Sequence, residues 1–251
     1  MRLIAVINQK GGVGKTTTTL NLAHALADKG KQVLAIDLDP QAHLTAGFGA
    51  QQHGQNGIAD AMLDETLIDD LILEAREGVD LIPAGERLGE LEHLSGGGAK
   101  RGWLLHSALN DRLGEYDFVL IDCAPSSGIL GMNALIAVEE VLIPVSGDFF
   151  ALQGLSRLMK IFQHLEESLQ RKYRKWVVLT RFNERRRLAR DVRERVTDYF
   201  PGQVLQTHIR ETVALAESPG FGQTILEYQK AGNGAEDYRN LAEDLIGNNT
   251  L

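Results

Sequence analysis

Cysteine is nearly absent. Cys123 stands alone in 251 residues, which excludes an internal disulfide framework and suits a reducing compartment. No uninterrupted apolar run approaches the roughly 18 residues of a membrane span. No basic-then-apolar leader precedes the first strand-like segment. These absences predict a protein that stays in the cytoplasm. Neither an internal repeat nor a linker divides the sequence, so a single domain over 1–251 is expected. The one glycine-rich insert, Ser95-Gly96-Gly97-Gly98-Ala99-Lys100-Arg101-Gly102, reads as a surface loop. What remains, 43% hydrophobic and 24% charged, can bury a full core.

Positive charge is scarce overall, with a net charge of −8, and this at first argues against a nucleic-acid partner. Its distribution argues otherwise. Between Arg171 and Arg195 eleven lysines and arginines meet only Glu184, Asp191 and Glu194, a local +8 that leaves −16 for the rest. A basic face on an acidic body is an electrostatic footprint for a polyanion. A solvated helix face is the plainer reading of the same residues.

Apolar runs at 3–7, 32–36, 79–83, 118–121, 141–145, 176–180 and 204–208 are continuous rather than alternating, as in parallel strands covered on both faces. Helical spacing fills roughly 16–29, 58–73, 87–94, 103–113, 129–138, 152–170, 187–199 and 234–246, and Gly30 is a helix stop. This alternation predicts an α/β fold: a doubly wound, mostly parallel sheet with helices on both faces. Ligands of such sheets bind beyond the carboxyl ends of the strands.

Three motifs point to a nucleoside triphosphate. Directly after the first strand comes Lys10-Gly11-Gly12-Val13-Gly14-Lys15-Thr16-Thr17. Its backbone N–H groups would cradle phosphates, with Lys15 to neutralise them and the Thr16 hydroxyl for Mg²⁺. The loop departs from G-x-x-x-x-G-K-[ST], since Gln9 stands where the first glycine belongs and Lys10 is an additional lysine inside it. Second, Asp37-Leu38-Asp39-Pro40-Gln41 ends the second strand with two carboxylates, a pattern that alone also fits a capped turn. Third, Phe118-Val119-Leu120-Ile121-Asp122 has the form of a Walker-B strand, whose carboxylate holds Mg²⁺ directly or through water.

At these residues the chain resembles the deviant-Walker-A P-loop ATPases, the ParA/MinD family. The similarity continues through Ile121-Asp122-Cys123-Ala124-Pro125-Ser126, Leu179-Thr180-Arg181-Phe182-Asn183, Leu215-Ala216-Glu217-Ser218-Pro219-Gly220-Phe221-Gly222 and Gly234-Ala235-Glu236-Asp237-Tyr238. The resemblance implies ATP and Mg²⁺ as cofactors and an ATP-dependent homodimer. Lys10 would cross that dimer to the partner's nucleotide. It further implies Lys15 on the β/γ-phosphates, Thr16 on Mg²⁺, Thr17 on the α-phosphate and Asn183 on the nucleotide. Asp39 would position the attacking water, Asp37 would sit near the metal, and Asp122 would be the Walker-B aspartate.

Within that family the single cysteine excludes a metal cluster shared between two subunits, which needs two cysteines from each. Cys123 reads as a small buried residue. The tail Ala242-Glu243-Asp244-Leu245-Ile246-Gly247-Asn248-Asn249-Thr250-Leu251 is acidic and then polar, unlike the basic amphipathic helix of a MinD-like membrane-cycling regulator. The ParA-like branch, which binds nucleoid DNA without sequence preference, fits the basic window instead. Lys172, Arg174, Arg186, Arg187, Arg190 and Arg193 are the expected phosphate contacts. Partition relatives read Ile-Pro-Arg-Asn-Val-Arg where this chain has Ile209-Arg210-Glu211-Thr212-Val213-Ala214. Glu211 and Ala214 thus replace two arginines, leaving Arg210 or the basic window to compensate. That departure leans towards a relative placing some other cargo, such as a carboxysome or a chemoreceptor cluster. The expected partners are DNA and a ParB-like or McdB-like cargo adaptor that stimulates a weak ATPase, with no membrane.

Overall fold

Val, Ile and Leu runs with no polar face leave a strand only one stable place, between two apolar layers. The computed structural model describes residues 1–50, 56–64, 66–93, 98–109, 113–125, 128–148 and 151–251. It joins all seven expected strands in one sheet and adds an eighth. In chain order they are β1 (Arg2–Val6), β2 (Val33–Leu38), β3 (Leu73–Arg76), β4 (Val79–Ile82), β5 (Phe118–Cys123), β6 (Glu140–Ser146), β7 (Arg174–Phe182) and β8 (Val204–Arg210). Their spatial order is β3-β4-β2-β5-β1-β6-β7-β8, with only β3 antiparallel to its neighbour.

The helices are α1 (Lys15–Ala27), α2 (His43–Gly47), α3 (Ile58–Asp64), α4 (Leu88–His93), α5 (Leu104–Ala108), α6 (Ile129–Ala137), α7 (Ala151–Leu169), α8 (Arg187–Tyr199), α9 (Val213–Glu217), α10 (Ile225–Tyr228) and α11 (Asn233–Gly247). One apolar layer packs α1, α2, α9, α10 and α11 on the sheet through residues such as Leu22, Leu26, Leu215, Leu226 and Leu241. The opposite layer packs α3 to α8 through residues such as Met62, Leu105, Leu130, Phe162 and Val192. Gly30, at φ +75, ends the first helical segment as expected, its N–H returning to the Ala27 carbonyl.

Three expectations need correction. The helix expected at 58–73 is α3, a 3₁₀ turn at Ile68–Leu71 and then β3. Gly78, at φ +75, lets the chain turn after Glu77 and lays Leu73 against Leu81 of β4. The insert expected as a surface loop is only partly open to description, because 94–97 lie outside the described residues. Its remainder forms a 3₁₀ helix, Gly98–Trp103, packed on α6. There the Asn133 amide donates to the Arg101 carbonyl at 2.8 Å, and a Cβ on Gly102 would meet Ile136 Cδ1 at 2.9 Å. Of the helix expected at 103–113 only α5 forms among the described residues, which leave out 110–112.

Because all the strands from β4 inward run the same way, their carboxyl ends share one rim. Register there sets the chemistry. Asp122 on β5 pairs with Asp37 on β2 and with Val6, the last residue of β1 before the glycine loop.

Candidate functional site

The loop between β1 and α1 is shaped for an anion. Gly12 and Gly14 are left-handed, at φ +73 and +87, and a Cβ at either would meet nothing within 4 Å. The conformation demands glycine, while the space in front of the loop stays open. Gly14 is the N-cap of α1 and makes no side-chain cap, so the first N–H groups of the helix point into the cleft. On the loop's inner side Thr180 Oγ1 donates to the Val13 carbonyl at 2.8 Å, tying the loop to the end of β7. Lys15 is only 7% exposed, and its Nζ reaches the Lys10 carbonyl at 3.4 Å. Burial lowers its pKa, opposed chiefly by the charge of Asp122 and also by that of Asp39. A lysine held this dry gains most from a phosphate.

The carboxylates are more deeply buried still. Asp122 is fully enclosed, accepts from Thr19 Oγ1 at 3.3 Å, and its Oδ2 is buried without a partner. Burial and the facing Asp37 raise its pKa, against a hydrogen bond from the Thr16 side chain. An orphaned carboxylate oxygen beside a threonine hydroxyl fits Mg²⁺, which takes one or two protein ligands and completes its shell with phosphate and water. Among the described residues no group of three His, Cys, Asp or Glu forms a self-sufficient metal cage. Asp37 is committed differently. Its Oδ2 accepts from Thr45 N and Oγ1 at 2.8 and 2.7 Å, its Oδ1 accepts from Asp39 N at 3.2 Å, and burial pushes its carboxyl up to about 6. Asp39 follows on the same turn, 7% exposed, with Oδ1 accepting from Gln41 N at 2.9 Å. Cys123 is buried beside Asp122, its thiol pushed far up by desolvation. Ser126 lies outside the described residues.

Lys10 faces away from its own phosphate site. Its Nζ lies 2.5 Å from Asp148 Oδ1, and Asp148 Oδ2 accepts from Ser146 Oγ at 2.7 Å. Its backbone N–H donates to Asn8 Oδ1 at 3.1 Å, and the Asn8 amide donates in turn to the Pro144 carbonyl. The end of β6 thus holds both the main chain and the ammonium of the extra lysine.

In front of the loop lies a cavity of about 630 Å³, large enough for a nucleotide. Gly11, Gly12, Gly14, Lys15, Thr16, Thr17 and Asp39 line one end. The other end is built by Arg181, Ile209, Glu211, Thr212, Leu215 and Tyr238, a wall that none of the three motifs announces. The family resemblance runs through 179–183, 215–222 and 234–238 but by itself gives Arg181, Leu215 and Tyr238 no role in the cleft. Asn183 lines the neighbouring groove instead, where its side-chain oxygen accepts from Arg185 N at 3.0 Å. Glu211 is part of the cleft wall, gripped by Arg181 at 2.7 Å with Arg186 at 4.0 Å. Arg210 supplies no free cation, because Asp237 and Glu236 neutralise it and Asp237 also accepts its N–H.

The basic window divides in two. α8 buries Ala189, Val192 and Val196 and turns Arg187 and Arg190 outward, with Arg186 at its N-cap and Arg193 half-buried. Lys172 and Arg174 lie at the opposite end of β7, roughly 26 Å away at about 3.3 Å per residue. There Arg174 stacks over the Trp176 ring, with 4.4 Å to the centroid. In the α8 group Arg190 donates to the Glu184 carbonyl at 2.7 Å, while Arg187 and Arg193 make only long contacts, to Asp191 and Glu184 at 3.9 Å each. Exposed pairs of that kind hold their cations weakly.

Comparison with known proteins places this geometry. A family model described as an AAA domain matches residues 1–175. The chain is 37% identical over 251 residues to the chromosome partitioning protein ParA of Caulobacter vibrioides, covering 98% of this chain and 94% of the relative. It is 38% identical over 248 residues to the chromosome-partitioning ATPase Soj of Thermus thermophilus, covering 98% and 96%. A crystal structure of a cobyrinic acid a,c-diamide synthase from Mycobacterium smegmatis, with bound ADP and magnesium, superposes with a TM-score of 0.82 at 30% identity. It covers 98% of this chain and 94% of that one.

Proposed function

This chain belongs to the ParA/Soj family of partition ATPases, and from that premise we propose a DNA-bound positioning ATPase, working as one domain over 1–251, whose ATP-bound dimer is released by a cargo adaptor. ATP and Mg²⁺ are its cofactors. The observation that carries the reading is the joint arrangement at the head of α1. An uncapped helix N-terminus, a dehydrated Lys15 and the orphaned Asp122 oxygen meet in one cleft.

Phosphoryl transfer needs positioning and charge neutralisation more than covalent chemistry. The Gly11–Thr16 amides and Lys15 bind the phosphates. Thr16 and Asp122 are the side chains that would hold Mg²⁺, which would supply charge neutralisation for the phosphates. Asp39 orients the attacking water from the turn that Asp37 fixes. Lys10 leaves Asp148 and reaches the nucleotide of the second copy, so that ATP joins two chains. Arg186, Arg187, Arg190 and Arg193 at one end of β7, and Lys172 and Arg174 at the other, contact phosphates of one duplex without reading its sequence. The adaptor, ParB-like or McdB-like, recognises the ATP dimer, stimulates hydrolysis and so couples release to the presence of cargo. The chromosome-partitioning relatives make a DNA locus the first cargo to test.

Co-sedimentation with non-specific duplex DNA tests the proposal. Asp39→Ala with ATP should remain on DNA, whereas Lys15→Ala should not bind it. Sedimentation with anionic liposomes instead of DNA would favour the MinD-like reading.

A further inference from the structure

Arg76 lies on β3, the one strand absent from the sequence expectation, and its guanidinium joins three separate segments. Nε donates to Glu227 Oε1 at 2.6 Å, NH2 to the Gly222 carbonyl at 2.7 Å, and NH1 to the Phe48 carbonyl at 3.2 Å and its neighbour Ala75 O at 2.5 Å. Its side chain is 21% exposed and also lies over the Phe48 ring. Glu227 is itself fixed by the capping box with Thr224 at the start of α10.

Phe48 is the C-cap of α2. A cation donating to the last carbonyls of a helix satisfies groups that have no partner within the helix. Here the contact reaches further, because α2 is also clasped from the side. Gly49 and Gly222 are both left-handed, and a Cβ on Gly222 would fall 2.9 Å from Gly49 Cα. The two backbones therefore touch, and Arg76 bridges the carbonyls on either side of the contact. On its other side α2 packs on α1, where a Cβ on Gly47 would lie 3.1 Å from Leu20.

The buried residues of this short helix include Thr45, which gives both its N–H and its hydroxyl to Asp37 Oδ2, while Asp37 Oδ1 takes the N–H of Asp39. A continuous series of directional contacts thus runs from Arg76 through α2 to the two aspartates of the cleft. We propose that Arg76 is a positioning residue for hydrolysis, holding α2 so that Thr45 fixes Asp37 and Asp37 fixes the Asp39 turn at the phosphate end. Arginine is required because one planar fork must serve three carbonyls and a carboxylate together, which a lysine ammonium on a flexible stem does not reproduce. Arg76 is no part of the phosphate cradle, so ground-state nucleotide binding does not depend on it.

The inference rests on the ATPase reading above. Its test is the single-turnover ATP hydrolysis rate, with the ATP dissociation constant measured alongside it, for wild type, Arg76→Ala, Arg76→Lys, Thr45→Val and Arg76→Ala/Thr45→Val. Hydrolysis should fall at least about fivefold in Arg76→Ala and about threefold in Arg76→Lys, with ATP affinity within twofold of wild type. The double variant should be no slower than its slower parent, because both residues act on the same turn. A lower melting temperature with an unchanged hydrolysis rate would make Arg76 a structural clamp only and overturn the inference. If Arg76→Ala does not fold, Arg76→Lys decides alone, and a wild-type rate there overturns it equally. Absence of hydrolysis in the wild type would instead count against the ATPase reading itself.

Discussion

Asp37 and Asp122 face each other across β2 and β5, both buried, and both hold their protons more tightly than an exposed carboxylate. A raised folded-state pKa means that ionisation costs folding free energy. For Asp37 that cost is absent below about pH 4, grows as pH rises, and is complete above its folded value of about 6. Asp37→Asn removes that cost while giving up one of the hydrogen bonds that the carboxylate accepts, so in the nucleotide-free protein its melting temperature relative to wild type should rise between pH 5 and pH 7.5. The full cost is of order 2–3 kcal/mol at about 1.4 kcal/mol per pKa unit. Thermal melts of the two proteins across that range check it, and a relative melting temperature that falls with rising pH would contradict it. Burial lowers the pKa of His24, an effect of the opposite sign, but it is common to both proteins and cancels in the difference. Lys10 supplies a second prediction at this scale. Asp148→Asn removes the charge that holds the Lys10 ammonium in its own chain, so dimers with ATP should form at lower protein concentration. An ion pair this exposed is worth about 0–1 kcal/mol, up to about fivefold for each lysine. Analytical ultracentrifugation with ATP reads the shift, and an unchanged monomer–dimer midpoint would show that the pair does not restrain Lys10.

In the proposed function α8 and the ends of β7 carry the DNA contact. Reversing Arg186, Arg187 and Arg190 to Glu alters only outward positions of a helix anchored by Ala189, Val192 and Val196. The fold should survive while DNA affinity falls. The slope of log affinity against log salt should shrink by about 0.9 for each duplex phosphate that is no longer neutralised. Reversal of Lys172 and Arg174 tests the far end of β7 separately, and an unchanged slope there would confine the surface to α8. Sequence pattern made α8 legible at 187–199, its observed bounds, because three small or apolar residues on one face among charged neighbours leave little choice of period. The parallel strands were legible for a similar reason, being continuous runs of Val, Ile and Leu. β3 was hidden because Leu73–Arg76 is four residues long and joins β4 through a turn at Gly78, while the preceding Ile68–Leu73 stretch imitates a helix face. The phosphate end of the cleft could be read from Lys10–Thr17, whose glycines have no other purpose. Its far wall could not, because Ile209, Thr212, Leu215 and Tyr238 are ordinary residues brought together only by the pairing of β7 with β8 and the packing of α11.

In the molecule as a whole, one rim of the sheet carries the phosphate loop, the two aspartates, the Lys10–Asp148 pair and the arginine-bearing start of α8. No helix among the described residues is long and apolar enough to cross a membrane. In the proposed function a nucleotide bound at that rim changes both what Lys10 holds and what the neighbouring surface binds. The most direct test is DNA co-sedimentation of Asp39→Ala, at several salt concentrations, with ATP or with ADP. The account predicts salt-sensitive binding with ATP, none with ADP, and none for Lys15→Ala with either nucleotide. Equal binding with ATP and ADP, or no binding in any state, would contradict it.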